Sequence, residues 1–145
     1  MSRWCAQQTM VASWLAGFAC LLVIVSCHAK QDASIAESAL GQLHNHLTGQ
    51  EDDQIFADAA PEYQKSMNVE ANHAFFNRIR RKLGAPHASK PISIQVNHMP
   101  AGTFMLCQFQ TSFDKGNAQE NVTWHLQDGK PRLVVYQVIS PLLTE

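Results

Sequence analysis

Near Lys90 the apolar residues of this 145-residue chain change their period, and that change restricts the fold class more than anything else in it. Before it, Ala36, Leu40, Leu43 and Leu47 recur at the intervals that put side chains on one face of a helix, here starting near Ser34. After it the apolar residues alternate. Ile92, Ile94 and Val96 form one face of a first strand, Met105, Cys107, Phe109, Thr111 and Phe113 of a second, and Val122, Trp124 and Leu126 of a third. Helices gathered ahead of strands predict an α+β domain with three N-terminal helices packed on one face of a four-stranded antiparallel sheet.

Breakers and caps divide the helical half. Gly49 stops the first helix, and Glu51-Asp52-Asp53 suits the start of a second, where carboxylates meet the positive end of the helix dipole. Ile55, Phe56 and Ala59 are its apolar side until Pro61 interrupts it, and Tyr63 docks the following turn on the core. A third helix runs from about Val69 to Leu83, capped by Asn68 or Ser66, with Glu70 in its first turn and Phe75, Phe76, Ile79 and Leu83 facing inward. Gly84 and Pro86 end it. Arg78, Arg80, Arg81 and Lys82 crowd its last turns, as a solvated face that complements the dipole or as a contact for anionic headgroups.

Turns in the strand half fall at Gly102, at Asp114-Lys115-Gly116-Asn117, and at Asp128-Gly129, which makes a tight hairpin into the last strand. That strand, Arg132 to Ile139, is apolar on both faces. If Met105, Cys107 and Phe109 face the helices, strict alternation puts Phe104, Leu106, Gln108, Gln110, Thr123, His125, Leu133, Val135 and Gln137 on the other face. Phe104, Leu106, Leu133 and Val135 make that face too apolar for plain solvated surface, and they are the expected partner-binding patch unless the tether or the Pro141-Leu142-Leu143 tail covers it.

The first 26 residues have the build of a signal peptide: Arg3 in a short polar start, then an apolar core from about Val11 to Val25. Roughly 15 apolar residues fall short of the ~20 that span a bilayer, so export and cleavage are expected. The run Leu21-Leu22-Val23-Ile24-Val25-Ser26-Cys27 resembles a bacterial lipoprotein signal, with Cys27 lipidated and becoming the new N terminus. Two alternatives stay open: a cut after Ala29 that leaves a soluble periplasmic protein, and an uncleaved membrane helix. Cleavage before Cys27 removes Cys5 and Cys20, leaves Cys107 as the remaining thiol and rules out a disulfide framework within one chain. Cys107 lies in an alternating apolar run, where it is expected as a small buried hydrophobe. Residues 27–34 read as a polar tether that holds the domain, residues 35–140, within ~25 Å of the bilayer, and residues 141–145 as a tail.

The mature chain of 119 residues suffices for one core. Its ten basic and twelve acidic residues give a formal net charge of −2, which supplies no electrostatic reason to expect nucleic acid.

The order helix, short helix, helix ending in Leu83-Gly84, then four antiparallel strands is similar to the cone-shaped fold of nuclear-transport-factor-like proteins. It resembles more closely a family of small bacterial envelope proteins classed only as a domain of unknown function. The matching features are Leu83-Gly84, Gly102, the run Gln108-Phe109-Gln110-Thr111-Ser112-Phe113, Glu120, Asp128-Gly129 and Tyr136, over about residues 35 to 140. The family pattern has a tryptophan soon after the Asp-Gly turn and a glycine before the tyrosine, where this chain has Pro131-Arg132 and Val135. The resemblance implies an envelope location and a cone shape, and no established reaction.

Cone-fold enzymes of the isomerase or dehydratase type place an Asp, His or Tyr in the cone, and the polar candidates to reach one are Asp58, Tyr63, His73, His98 and Tyr136. Metal binding lacks a pattern: His44 and His46 lie two apart on a helix, His98 and His125 fall in different strands, and solvent-facing histidines are expected. Neither a cofactor nor a metal is implied, and no glycine-containing hairpin suggests cystatin-type inhibition. The expectation is a non-catalytic protein, lipid-anchored in the cell envelope at the outer membrane and facing the periplasm. It would bind a second copy, another envelope protein, or a small apolar ligand in a pocket lined by Tyr63, Phe76, Phe109, Trp124 and Tyr136.

Overall fold

The computed structural model describes residues 11–144, and their side chains from Lys30 to Thr144. Arg3 and the side chain of Cys27, on which the leader and lipidation expectations fall, lie outside the described residues, as does Glu145. The described residues divide into two units, with the boundary between Asp32 and Ala33. Among the described residues no helix is long and apolar enough to cross a membrane.

Helix α1 runs Val11–Gly49, α2 Asp52–Asp58, α3 Pro61–Ser66 and α4 Val69–Leu83. Strands β1 Pro86–Met99, β2 Gly102–Phe113, β3 Gly116–Gln127 and β4 Lys130–Ile139 follow, and a 3-10 turn, Pro141–Leu143, closes the described chain. The strands form one antiparallel meander in the order β1-β2-β3-β4, so this is an α+β fold with helices packed on a sheet. Two helical expectations change. The first helix begins well before Ser34 and includes residues 27–34, because nothing between Cys27 and Ser34 breaks a helix. Pro61 both ends α2 and opens α3, since a proline at the first helical position gives up an amide that has no partner there anyway.

The caps follow sequence chemistry. Asn68 accepts from the amide of Ala71 at 2.8 Å at the start of α4. Gly84 ends α4 at φ +84°, and a Cβ there would meet the Asp114 carboxylate, which itself accepts from the Ala85 amide. Asp128 and Gly129 both have positive φ, as the two central residues of a tight hairpin turn require.

Side chains from α1, α2, α4 and the inner sheet face make one core. Leu40, Leu47, Phe76, Ile79 and Leu83 meet Met105, Cys107, Phe109, Val122 and Trp124, all buried. Full burial of side chains this size is worth about 1.5–3 kcal/mol each before ordering costs. The register of β2 on β3 is unbroken from Thr103↔Leu126 to Phe113↔Gly116.

The outer strands are not so regular, and two expectations fail there. In β1 the register slips between Pro91 and Ser93, leaving Ile92 as an extra residue. Pro91 has no amide to give the ladder, and bulges accommodate proline. Ile92 is therefore 55% exposed, while Ile94 and Val96 pack on the core as expected. In β4 the pairs Thr123↔Val135 and Trp124↔Leu133 leave Val134 as the extra residue. That bulge reverses the facing of everything before it. Leu133, expected on the outer face, is 3% exposed and sits in the core beside Trp124. Its carbonyl also accepts from the Ala60 amide at 2.8 Å, so the α2–α3 junction caps the free edge of β4.

Candidate functional site

A carboxylate lies within the apolar layer between helices and sheet. Glu120 shares the inward parity of Ala118, Val122 and Trp124 on β3 and is fully buried. Three elements converge on it. Thr111 of β2 donates its hydroxyl to Oε2, Tyr136 of β4 donates to Oε1, and His44 of α1 brings Nε2 to 3.0 Å from both oxygens. Each carboxylate oxygen thus accepts one hydroxyl hydrogen, and the single Nε2–H of His44 is shared between the two. Burial, followed by the Glu120 charge and hydrogen bond, raises the Tyr136 hydroxyl well above its ordinary pKa, so it remains a donor. His44, expected to face solvent, instead has its side chain only 13% exposed and lies edge-on to Phe113 at 6.3 Å. An inward position on an amphipathic helix, opposite an inward acid, accounts for the difference.

A second polar cluster joins α2, α3 and α4. Arg80 forks onto Asp52 at 2.7 and 2.6 Å, with Asp52 buried; this arginine is an internal pair member and not part of a solvated basic face. Asn72 donates to the Asp52 carbonyl at 2.8 Å and accepts from the Tyr63 hydroxyl at 2.8 Å. Burial first, then the Asp52 charge, pushes Tyr63 up to about 12. Cys107 is 2% exposed, and burial pushes its thiol up to about 11, far from reactive.

The residues expected to line a ligand pocket form the core itself. Tyr63, Phe76, Phe109, Trp124 and Tyr136 are all buried, and Phe76 stacks on Tyr136 at 5.8 Å. Trp124 also lines a small cleft of about 80 Å³ beside Leu43, Ile55, Asp58 and Leu133. The polar candidates for a reaction go to separate places. Asp58 accepts from Gln54 on the exposed side of α2, His73 contacts Asp52 and Asp53, and His98 meets Thr103 at the β1–β2 turn. His46 pairs with Glu51 at 2.6 Å, away from the partner of His44.

The outer sheet face is more covered than alternation predicts. His125 is 8% exposed, stacks on Phe104 at 4.4 Å, and approaches the Glu62 carboxylate at 3.2 Å. Gly102 makes this possible: a Cβ there would lie 2.3 Å from the His125 ring nitrogen. Phe104 is thereby half-buried. What stays open is Leu106 at 39% and Val135 at 50%, in one cross-strand row with Thr123 between them, and Ile139 at 50%, which sequence reasoning did not single out.

These features define a small α+β unit with a carboxylate-centred network inside and a sparse apolar row outside. A family model matches residues 42–136, a span that includes His44, Thr111, Glu120 and Tyr136. The chain belongs to that family, described as a protein of unknown function (DUF4019). No curated protein matches the chain.

Proposed function

We propose that this chain is a non-catalytic protein of the bacterial cell envelope, lipid-anchored through Cys27 at the outer membrane, that faces the periplasm and binds a second copy of itself through the outer sheet face. In this reading the helices and meander form the cone of nuclear-transport-factor-like proteins, with the cone filled by side chains. The observation that carries the binding part is the row Leu106–Thr123–Val135, two exposed aliphatic residues in register beside the polar row Gln108–Asn121–Gln137. The burial of Glu120 among three protein donors supports the absence of catalysis, because a general base must come within reach of a substrate proton. The sequence Ile24-Val25-Ser26-Cys27 supports the anchor.

Leu106→Asp and Val135→Asp, at sites already substantially exposed, are expected to keep the folded circular dichroism and convert a dimer to a monomer in sedimentation. A wild type already monomeric, or a dimer untouched by both substitutions, defeats the self-association reading. Mass spectrometry of the purified native protein is expected to show an N-terminal Cys27 with added acyl mass. An unmodified Met1, or a start at Lys30 without acyl mass, defeats the anchor.

A further inference from the structure

Beyond that row, the structure has an apolar groove between α4, the end of β4 and the 3-10 turn. Phe75 and Ile79 of α4, Val138 and Ile139 of β4, and Leu143 of the 3-10 turn enclose about 310 Å³, at the lower end of the range of small-molecule sites. The Phe75 ring meets Tyr136 edge-on at 5.8 Å, which ties the groove to the core and keeps its inner wall in place. Ile139 is half-exposed, so the groove opens to solvent.

Its polar rim is selective. Ser140 donates to the Asn117 carbonyl and Thr144 to the Pro141 carbonyl, so both hydroxyl donors are engaged within the chain. Arg78 differs. It is exposed, donates one N–H to the Leu143 carbonyl, and has no carboxylate partner among the described residues. A guanidinium carries five N–H donors, so four point elsewhere. By contrast Arg80, two residues on, is fully matched by Asp52. An apolar trough that ends at a guanidinium with no carboxylate partner among the described residues is complementary to an apolar tail that ends in an anion.

We propose that this groove binds a single-chain fatty carboxylate, its tail along Phe75, Ile79, Val138 and Leu143 and its headgroup on Arg78. A planar carboxylate suits the fork of arginine, and each methylene placed in the groove raises affinity about fourfold.

The test is titration of the full chain with decanoate below its micellar concentration, followed by the methyl resonances of Ile79, Val138, Ile139 and Leu143. Saturable shifts confined to these methyls are expected. Arg78→Ala is expected to weaken binding about tenfold, the effect of losing hydrogen bonds to a charged group, and decyltrimethylammonium is expected to bind no better than to that variant. Ile139→Glu, at a half-exposed position, is expected to keep the folded circular dichroism and abolish decanoate binding. Every variant carries the same N-terminal residues, so any affinity of the leader for the probe cancels. Absence of shifts, equal binding of the ammonium probe, or indifference to Arg78→Ala overturns the proposal. Arg78-dependent sedimentation with phosphatidylglycerol vesicles, without decanoate binding, also overturns it, in favour of a bilayer headgroup.

Discussion

Glu120→Ala is expected to destabilise the domain by about 3–5 kcal/mol, the cost of removing one member of a buried charged cluster. The loss has two parts. The side chain leaves a hole in a close-packed layer, and the donors of Thr111, Tyr136 and His44 lose their acceptor where water cannot replace it. Glu120→Gln separates the two. It fills the same volume but turns one acceptor oxygen into an NH2 group that faces a donor, so about 2–3 kcal/mol of the effect is expected to remain. A double-mutant cycle with His44→Ala is expected to give about 1–3 kcal/mol of coupling, because His44 touches both carboxylate oxygens. Urea denaturation of the wild type, the three single variants and the double variant measures all of this. Additive losses from Glu120→Ala and His44→Ala are the contrary result, since they leave the contact energetically idle.

The same cluster shows how far the residues alone could be read. The inward parity of β3 was legible from Val122, Trp124 and Leu126, and Glu120 has that parity, so an inward-facing acid was visible in the alternation. Its partner was not. His44 is 76 positions away, and only the packing of α1 on the sheet brings the two together. Elements with strong local chemistry followed expectation: α4 from the Asn68 cap to the Gly84 stop, and the Asp128-Gly129 turn with positive φ at both positions.

Two of the failures share one cause. Alternation determines which face a residue takes only while the register holds, and a single extra residue inverts everything on one side of it. At Ile92 a neighbouring proline gave a hint. At Val134 no breaker marks the bulge, and it moved Leu133 from the expected partner patch into the core. On the outer face, Phe104 was lost to the patch because His125 folds over it, a contact that depends on the missing side chain of Gly102 and on Glu62 arriving from α3. These are contacts between distant elements, and no local pattern carries them.

Alkaline unfolding is the second large effect expected, and it follows from acids kept protonated by burial. Cys107 is pushed from its ordinary 9.0 to about 11, Tyr63 from 10.0 to about 12, and Tyr136 well above its usual value. In the unfolded chain these groups release their protons at ordinary pH, while the folded chain holds them longer. Stability falls with pH wherever the folded state binds more protons. The contribution is therefore whole below pH 9 and is lost as pH rises, first through the thiol and then through the phenols. Each unit of displacement is worth about 1.4 kcal/mol, so Cys107 and Tyr63 together remove about 5 kcal/mol between pH 9 and 12. That is comparable to the entire stability of many small domains, about 5–15 kcal/mol. The chain has two tyrosines, both buried, so tyrosinate absorbance is expected to appear in step with loss of helical circular dichroism, and not before it. Cys107→Ala is expected to flatten the decline between pH 9 and 11, and Tyr63→Phe the decline between pH 10 and 12. Tyrosines that ionise near pH 10 while the helical signal stays intact would show that water reaches their hydroxyls, and that Tyr136 is not the permanent donor on which the Glu120 cluster depends.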